Sequence, residues 1–354
     1  LSRATGSVRT QGARHTFNDA DAAISALRSK DVEMVVGAIP FDSDTPAALT
    51  VPEAIIREEG PLEPHAYYRN QSLSSRVVGF DPEPEEHLRR VEAAIGTIET
   101  SKLEKVVLAR AVDIEFPEAI DPRLVAARLI DLSANRDGFI ADLSPAGRPG
   151  AMLVGSSPEV LVKRQGSTVS AFPLAGSSPR RALAAEDHLA GQDLLHSSKD
   201  LHEHAFVVDH LRRALTPLCE RLDIPDVPQL ISTNEMWHLG TPISGKLKDK
   251  DLTALELALA VHPTPAICGT PAEAAQALIE TAETDRGFYA GAVGWCDSSG
   301  DGEYMVAIRC AEVAGDGLSA RAWAGGGIVG DSDAQAELEE TTAKLRTILK
   351  ALSL

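Results

Sequence analysis

The chain has 354 residues, of which 44% are apolar and 24% charged, a composition typical of a globular protein with one large domain or two ordinary ones. Its formal net charge of −18 argues against nucleic acid as a partner and against binding to an anionic membrane surface. An acidic substrate would need a local patch of basic residues.

Cysteine usage and hydropathy indicate the compartment. The four cysteines show no CxxC spacing and are typical of free thiols in a reducing environment: Cys219, Cys268, Cys296 and Cys310. No apolar run approaches the length of a membrane-spanning helix, and the first 17 residues lack the apolar core of a signal peptide. We therefore expect a cytoplasmic protein without membrane association, and we expect a monomer.

In the first half of the chain, apolar periodicity and turn residues predict helices and strands around one irregular segment. The predicted helices are 19–29, 82–101 and 121–132. The predicted strands are 32–40, 76–80, 104–116, 138–143, 151–155, 160–164 and 167–173. The segment 41–75 is rich in Pro, Asp and Glu and predicts an irregular stretch with a strand near its centre.

The second half predicts longer helices and a further set of hairpins. The predicted helices are 183–197, 198–222, 252–261, one that follows Thr270-Pro271, and a terminal helix that begins near Asp331 or Ser332. The predicted strands are 227–233, 240–247, 287–296, 303–313 and 318–323. The predicted loops are 174–181, 234–239 and 262–271. Hairpins rather than regular βαβ units favour an α+β fold with large, mainly antiparallel sheets, and no linker divides the chain, which favours one domain over 1–354.

The last fifth of the chain combines a predicted glycine loop, Gly325-Gly326-Gly327, with a helix that places Glu337, Glu340 and Lys344 on one face. The N–H groups of the loop can approach an anion because no side chain shields them. Two acids and a lysine beside such a loop could hold a metal ion and a small anionic substrate. The same face is also typical of a solvated helix with a Glu340–Lys344 ion pair, and this stretch alone favours that second interpretation.

Two ionisable residues elsewhere could act as an acid and a base. Lys105 begins a strand of Val, Leu and Ala, where a lysine is usually an edge charge that reaches water. If it points inward, the loss of solvation favours the neutral amine, which is a usable general base. Glu159 follows a proline and is by itself typical of a turn. If it is buried, its pKa rises and it can serve as a general acid.

Three more polar residues have both a structural and a functional interpretation. Glu203 lies in KDLHEH on a predicted helix, where a solvated position is usual, and the i,i+2 spacing of its two histidine neighbours argues against a zinc site. His238 stands in an apolar loop, where a hydrogen-bonded core histidine is usual. Arg309 interrupts the strand sequence MVAIRCAEV, and an inward arginine there needs an anion from the protein or from a ligand.

Taken together, nine blocks of the sequence resemble the chorismate-utilising enzymes in order and spacing. The blocks are KVVLAR (105–110), GSSPE (155–159), PLAGS (173–177), KDLHEH (199–204), WHLGTP (237–242), HPTPAICGTP (262–271), YAGAVGWCD (289–297), AIRCAE (307–312) and AGGGIV followed by ELEETTAKL (324–345). The resemblance is closest to isochorismate synthases of the siderophore and menaquinone type. It spans about residues 80–354, whereas 1–80 read as a variable N-terminal part.

This resemblance implies a chorismate-binding αβ sandwich with two large, mainly antiparallel sheets flanked by helices. It implies a reversible, Mg²⁺-dependent conversion of chorismate to isochorismate, in which water adds at C2 of the ring and the C4 hydroxyl leaves. By match to the motifs, Lys105 is the base that activates water and Glu159 the acid that protonates the departing hydroxyl. Glu203 and Glu340 are Mg²⁺ ligands, with Glu337 close by, and oxygen ligands are those that Mg²⁺ prefers.

The resemblance also implies a set of substrate contacts. Arg309 and the backbone of Gly325 would hold one carboxylate of chorismate, and Lys344 the other. The ring pocket would be lined by Ala175, Gly176, Ser177, His238 and Tyr289.

The family resemblance leaves the nucleophile and the final product to particular positions. Relatives that install ammonia tend to carry Gln where Lys105 stands, and aminodeoxychorismate-forming relatives can carry Lys where Ala175 stands. Water is therefore the expected nucleophile, and no glutaminase subunit is expected. Ser177 and Tyr289 depart from common variants and leave open a salicylate synthase, which would go on to eliminate pyruvate. A catalytically silent chorismate-binding protein is a third alternative, which the intact acid and base candidates disfavour.

Overall fold

The computed structural model describes residues 1–354. Its nine α-helices, α1 to α9 in chain order, are Ala20–Arg28, Ala66–Asn70, Pro84–Thr100, Pro122–Leu132, Ala184–His196, Ser198–Leu215, Ala254–Val261, Ala272–Ala282 and Ala334–Ala351. Its 22 strands, β1 to β22, are Ser2–Arg3, Gly6–Gln11, His15–Phe17, Met34–Ile39, Ala48–Val51, Ala54–Glu58, Arg76–Asp81, Lys105–Glu115, Phe139–Asp142, Met152–Gly155, Val160–Gln165, Thr168–Phe172, Leu174–Pro179, Cys219–Asp223, Gln229–Ser232, Met236–Gly240, Ile243–Leu247, Gly269–Thr270, Ala292–Asp297, Gly302–Val306, Cys310–Val313 and Ser319–Ile328. None of the helices is both long and apolar enough to cross a bilayer.

Two large sheets dominate the fold. One has nine strands in the order β14-β17-β12-β11-β20-β19-β4-β5-β3, and the other has seven, in the order β18-β8-β22-β21-β10-β9 with β7 also paired to β8. Every neighbouring pair in both sheets is antiparallel. The predicted α+β class with two large, mainly antiparallel sheets is confirmed. The first 81 residues contribute four of these strands, β3, β4, β5 and β7, so they complete both sheets.

The main hydrophobic core joins the two sheets. It contains 56 buried residues, among them Leu108 and Leu153 from the seven-stranded sheet and Val162 and Met305 from the nine-stranded sheet. A second cluster of 15 residues lies on the other face of the seven-stranded sheet, where α4 and α9 cover it. The terminal helix α9 is therefore fixed by apolar packing on β22, and that packing brings its polar side chains next to this strand.

Local sequence signals explain where the helices begin. Asp121 caps α4, accepting the N–H of Arg123, and Pro122 occupies the first turn, as predicted. The terminal helix begins slightly later than predicted, with Asp333 as its N-cap accepting the N–H of Ala336. Thr270 and Glu273 have the spacing of a capping box, but α8 follows Pro271 without a side-chain cap.

Two predicted loops are strands. Residues 174–181 contain β13 and residues 234–239 contain most of β16. These two strands pair with each other, and β16 also pairs with β15, in a separate three-stranded sheet. The pairing joins residues about sixty positions apart, for example Ser177 with His238. Local sequence patterns carry no signal of such a non-local partner, and the glycine and polar residues in these segments therefore predict a loop.

Three other predictions misplace the limits of helices and strands. The helix predicted to reach residue 222 ends at Leu215, and Cys219–Asp223 forms an edge strand of the nine-stranded sheet. The predicted strand 303–313 is interrupted at 307–309, where Arg309 has a φ of 52°. The predicted glycine loop Gly325–Gly327 is the end of β22, paired in register with Val107–Ala109 of β8.

The packing of α9 on the sheet gives a first prediction. Leu345 is 3% exposed in the cluster beneath α9, so Leu345→Ala leaves a cavity and we expect it to lower the free energy of unfolding by about 2–4 kcal/mol. Leu189→Ala on α5 is the matched control, because Leu189 is 58% exposed and its truncation should cost less than about 0.5 kcal/mol. Urea denaturation measures both, and an equal loss in the two variants would contradict this account of the second core.

Candidate active site

A cleft lies where β8, β13, β16, β22, α6 and α9 meet the bend after β10 and the segments that follow α7 and α8. About 670 Å³ of space, part of it open to solvent, lies within this cleft. Ten of the thirteen residues singled out from the sequence line it: Glu159, Ala175, Gly176, Ser177, Glu203, His238, Tyr289, Arg309, Gly325 and Lys344. The other three, Lys105, Glu337 and Glu340, contact residues around the cleft through ion pairs.

Three glutamates converge beside the cleft, and each is paired with its own lysine. Glu203 lies 2.9 Å from the ammonium of Lys105, which is fully buried. Glu340 lies 2.5 Å from Lys344 in an i,i+4 pair on α9. The predicted ion pair of the solvated-helix alternative is therefore present, but it lies at the cleft instead of on a solvated face.

The third pair, between Glu337 and Lys199 at 2.7 Å, involves a lysine that the sequence analysis did not single out. Lys199 begins the KDLHEH block on α6, so its position in that block was the available signal. Burial, together with the charges of Glu340 and Glu203, raises the pKa of Glu337 to about 7 against the opposing effect of Lys199. One carboxylate oxygen of Glu337, Oε2, is buried without a hydrogen-bond partner.

The glycines of β22 make room for these carboxylates. A Cβ on Gly327 would lie 2.2 Å from Oε1 of Glu203 and 3.0 Å from Cε of Lys105. A Cβ on Gly326 would lie 2.9 Å from Oε2 of Glu337. These glycines therefore leave space beside a strand, and side chains of α6, α9 and β8 occupy that space close to the backbone.

The donor set suits a hard divalent cation. As placed, the acidic side chains do not form a group of three close enough to hold one ion together, and each of them contacts a lysine. However, Glu203 and Glu340 both raise the pKa of Glu337, which shows how near the three charges are. Carboxylate oxygens with one unpartnered buried atom, on Glu337, are ligands that Mg²⁺ or Ca²⁺ accepts.

Arg309 supplies a buried positive charge with no carboxylate partner. It is 5% exposed, and its side chain makes one hydrogen bond, from Nη2 to Nε2 of His238 at 3.2 Å. An arginine can only donate, so Nε2 of His238 accepts and its Nδ1 carries the proton. Burial lowers the pKa of His238 well below its ordinary value, and Arg309 lowers it further, so this histidine is neutral. The positive φ of Arg309 is uncommon for a residue with a side chain, and such backbone strain concentrates at functional sites.

Glu159 is the buried acid of the cleft. It is 3% exposed, and one of its carboxylate oxygens accepts the N–H of Leu174 at 3.3 Å. Burial raises the pKa of Glu159 to about 7, while the Leu174 N–H, Lys105, Lys344 and Arg309 oppose the shift. A carboxyl group with such a pKa is substantially protonated at neutral pH and can donate a proton.

Part of the cleft lining is apolar and aromatic. Tyr289 stacks on Trp323 with ring centres 5.7 Å apart and planes 9° from parallel. Trp323, Val107 and Ile267 line the cleft but were not among the predicted site residues. Alternation of side chains along a strand does not show whether one face lines a ligand site or packs in the core. No sequence signal therefore distinguishes Trp323, Val107 and Ile267 from packing residues.

Comparisons with known proteins agree with one another. The model of the chorismate binding enzyme family matches residues 34–353, which begins before the resemblance described from about residue 80. A Mycobacterium tuberculosis protein assigned as isochorismate synthase MenF is 46% identical over 98% of this chain and 94% of its own length. Isochorismate synthase DhbC of Bacillus subtilis is 44% identical over 90% of this chain and 80% of its own length. The chain is also similar to a crystal structure from Bacillus anthracis, described as a 2,3-dihydroxybenzoate-specific isochorismate synthase, with a TM-score of 0.92 and 37% identity over 100% of this chain and 95% of that one.

The environment of Glu159 predicts a pH-dependent stability difference. The unfolded chain loses this proton near the ordinary pKa of 4.5, whereas the folded state keeps it up to about pH 7, so stability falls as pH rises from about 4.5 to 7. Glu159→Gln removes the buried charge. At pH 8 the free energy of unfolding of this variant should exceed that of the wild type by on the order of 3 kcal/mol, and at pH 4 the two should be equal.

Denaturant unfolding across this pH range measures the effect, with Glu118→Gln as the matched control because Glu118 is exposed and makes no ion pair. A difference between Glu159→Gln and wild type that is the same at pH 4 and pH 8 would show that the carboxyl of Glu159 titrates normally.

Proposed function

The chain belongs to the chorismate binding enzyme family, and from that premise we propose that it is an isochorismate synthase that converts chorismate to isochorismate. The observation that carries the proposal is the convergence of Lys105, Glu159 and Arg309, buried residues of three different segments, around one cleft. Identities of 44–46% to isochorismate synthases over nine-tenths or more of the chain support the same activity.

The charges of the cleft suit a dicarboxylate. Arg309 has no acidic partner, so a substrate carboxylate would complete its bidentate hydrogen bonding in a buried setting. Lys344 Nζ contacts the carbonyl of Gly325 at 3.0 Å as well as Glu340, and it lines the cleft where a second carboxylate could lie. These two cations give an otherwise strongly acidic chain a local basic patch.

The proton transfers fall to Lys105 and Glu159. Lys105 would accept a proton from the water that adds at C2 of the ring, and Glu159 would donate one to the C4 hydroxyl as it leaves. The raised pKa of Glu159 supplies the protonated acid at neutral pH. Because the reaction is reversible, the two residues exchange roles in the back direction. Lys105 in place of Gln and Ala175 in place of Lys favour water as the nucleophile, so no glutaminase subunit is needed.

We propose Mg²⁺ as the cofactor, held by Glu203 and Glu340 with Glu337 close by. When bound, it would neutralise a substrate carboxylate and withdraw electron density from the ring. Lys199 and Lys344, which pair with Glu337 and Glu340, keep these two carboxylates in place and limit their mutual repulsion.

The direct test is a product assay. The protein is incubated with chorismate and Mg²⁺, and the products are identified by chromatography. Isochorismate alone supports the proposal, whereas salicylate with pyruvate would identify a salicylate synthase. Unchanged chorismate, with binding retained in calorimetry, would identify a silent binding protein. Supplying isochorismate should yield chorismate, since the reaction is reversible.

Lys105→Gln should abolish most isochorismate formation, by about 10²–10⁴-fold, because the general base is removed. Chorismate affinity, measured by calorimetry, should change little, since Arg309 and Lys344 remain. Lys102→Gln is the control, because Lys102 is exposed three residues away. Near-normal turnover would exclude Lys105 as the base, and a joint loss of binding and turnover would make it a substrate anchor.

Gly327→Ala should lower kcat/KM about 100-fold, since its Cβ would displace Glu203 and Lys105 by roughly an ångström. Gly330→Ala is the matched control at the end of the same glycine-rich segment, because its Cβ would lie 3.8 Å from the nearest atom. Steady-state kinetics, with circular dichroism to verify folding, measures both variants. Equal activity of the two would show that clearance at Gly327 is not needed for turnover.

A further inference from the structure

A buried ion pair stands directly behind the apolar wall of the cleft. Arg286 and Glu283, at the end of α8, have side chains 2% and 6% exposed. Their contact is bidentate, with Nε of Arg286 2.8 Å from Oε2 of Glu283 and Nη2 2.8 Å from Oε1. Neither residue lines the cleft.

The pair fills a gap in the edge of β8. On that edge β18 pairs with Lys105 and Val106, and β7 begins to pair at Ala111, so the stretch between them has no neighbouring strand. Nη2 of Arg286 donates to the carbonyl of Val107 at 2.7 Å, and Oε1 of Glu283 accepts the N–H of Ala109 at 2.7 Å. Two side chains thus satisfy backbone groups that a strand would otherwise satisfy.

The same guanidinium connects β8 to the other wall segments. Nη1 of Arg286 donates to the carbonyl of Ile267 at 2.8 Å, in the loop after α7. Its plane lies over the ring of Tyr289, 5.9 Å from the centroid, and over Phe41 at 4.6 Å. Val107, Ile267 and Tyr289 all line the cleft, so one residue fixes three separate segments of its wall.

We propose that Arg286 and Glu283 are positioning residues that set the spacing of the apolar wall against which the chorismate ring lies. This inference rests on the proposed function. Arginine is required because its planar fork donates to two carbonyls and one carboxylate at once, which the single ammonium of a lysine cannot do. Glu283 holds the guanidinium in its plane and keeps the buried charge paired.

Arg286→Lys tests the proposal against Arg164→Lys. Arg164 is also buried, at 4% exposure, and also donates to two backbone carbonyls, those of Ser299 and Lys250, but it lies outside the cleft. Both variants should lower the melting temperature. Only Arg286→Lys should raise KM for chorismate, by about tenfold, with a smaller change in kcat, because Lys105 and Glu159 are untouched.

A second variant and a second measurement keep the test decisive if Arg286→Lys folds poorly. Glu283→Gln retains an acceptor for Ala109 and should raise KM in the same direction but less. Hydrogen–deuterium exchange of peptides covering 262–270 and 286–291 should be faster in Arg286→Lys and in Glu283→Gln than in Arg164→Lys. This measurement does not depend on turnover.

An unchanged KM in a folded Arg286→Lys or Glu283→Gln variant, or exchange no faster than in Arg164→Lys, would overturn the inference and leave the pair a purely structural role. Absence of turnover in the wild-type protein would instead count against the proposed function, while the exchange comparison would still decide whether the pair orders the wall.

Discussion

The antiparallel pairing of β22 with β8 is the interaction on which the cleft depends. Ten residue pairs run from Ser319 opposite Glu115 to Ile328 opposite Val106, and the glycines of β22 lie beside the start of β8, where Lys105 stands. Because these glycines have no side chains, Glu203 from α6 and Glu337 from α9 can approach the strand backbone. The apolar face of α9 packs on the same sheet, and this packing keeps the glutamates of α9 beside the glycines of β22.

Electrostatics then decides which charges in the cleft are available. A buried charge is costly unless it is paired, and the three glutamates beside the cleft each have a lysine. Arg309 is the exception, since its neighbour His238 is neutral. The cleft therefore combines a compensated group of carboxylates with an uncompensated guanidinium, which is suited to an anion. That asymmetry fits a substrate with carboxylates better than it fits a structural ion-pair network.

Two buried glutamates show how environment separates chemical roles. Burial raises the pKa of Glu159, and the surrounding cations are too weakly coupled to reverse the shift. Burial acts in the same direction on Glu340, but Lys344 at 2.5 Å outweighs it and lowers the pKa below its ordinary value. At neutral pH Glu159 is thus partly protonated, as a proton donor must be, whereas Glu340 is an anion. The apolar lining of the cleft contacts a different buried pair, Glu283 with Arg286, which bonds to backbone groups of Ala109, Ile267 and Val107.

The sequence by itself determined the class of fold, most of the long strands and helices, and the thirteen candidate residues, because apolar periodicity is local and the nine motif blocks are specific. Ten of those residues line one cleft, and the other three pair with residues around it. Only the tertiary structure decided that Gly325–Gly327 belongs to a strand, that β13 and β16 pair, and that the chain turns at Arg309. It alone revealed Lys199, Trp323 and the Glu283–Arg286 pair. The roles of these residues depend on partners that are distant along the chain. Non-local pairing and burial produce no periodic pattern in the sequence from which they could be predicted.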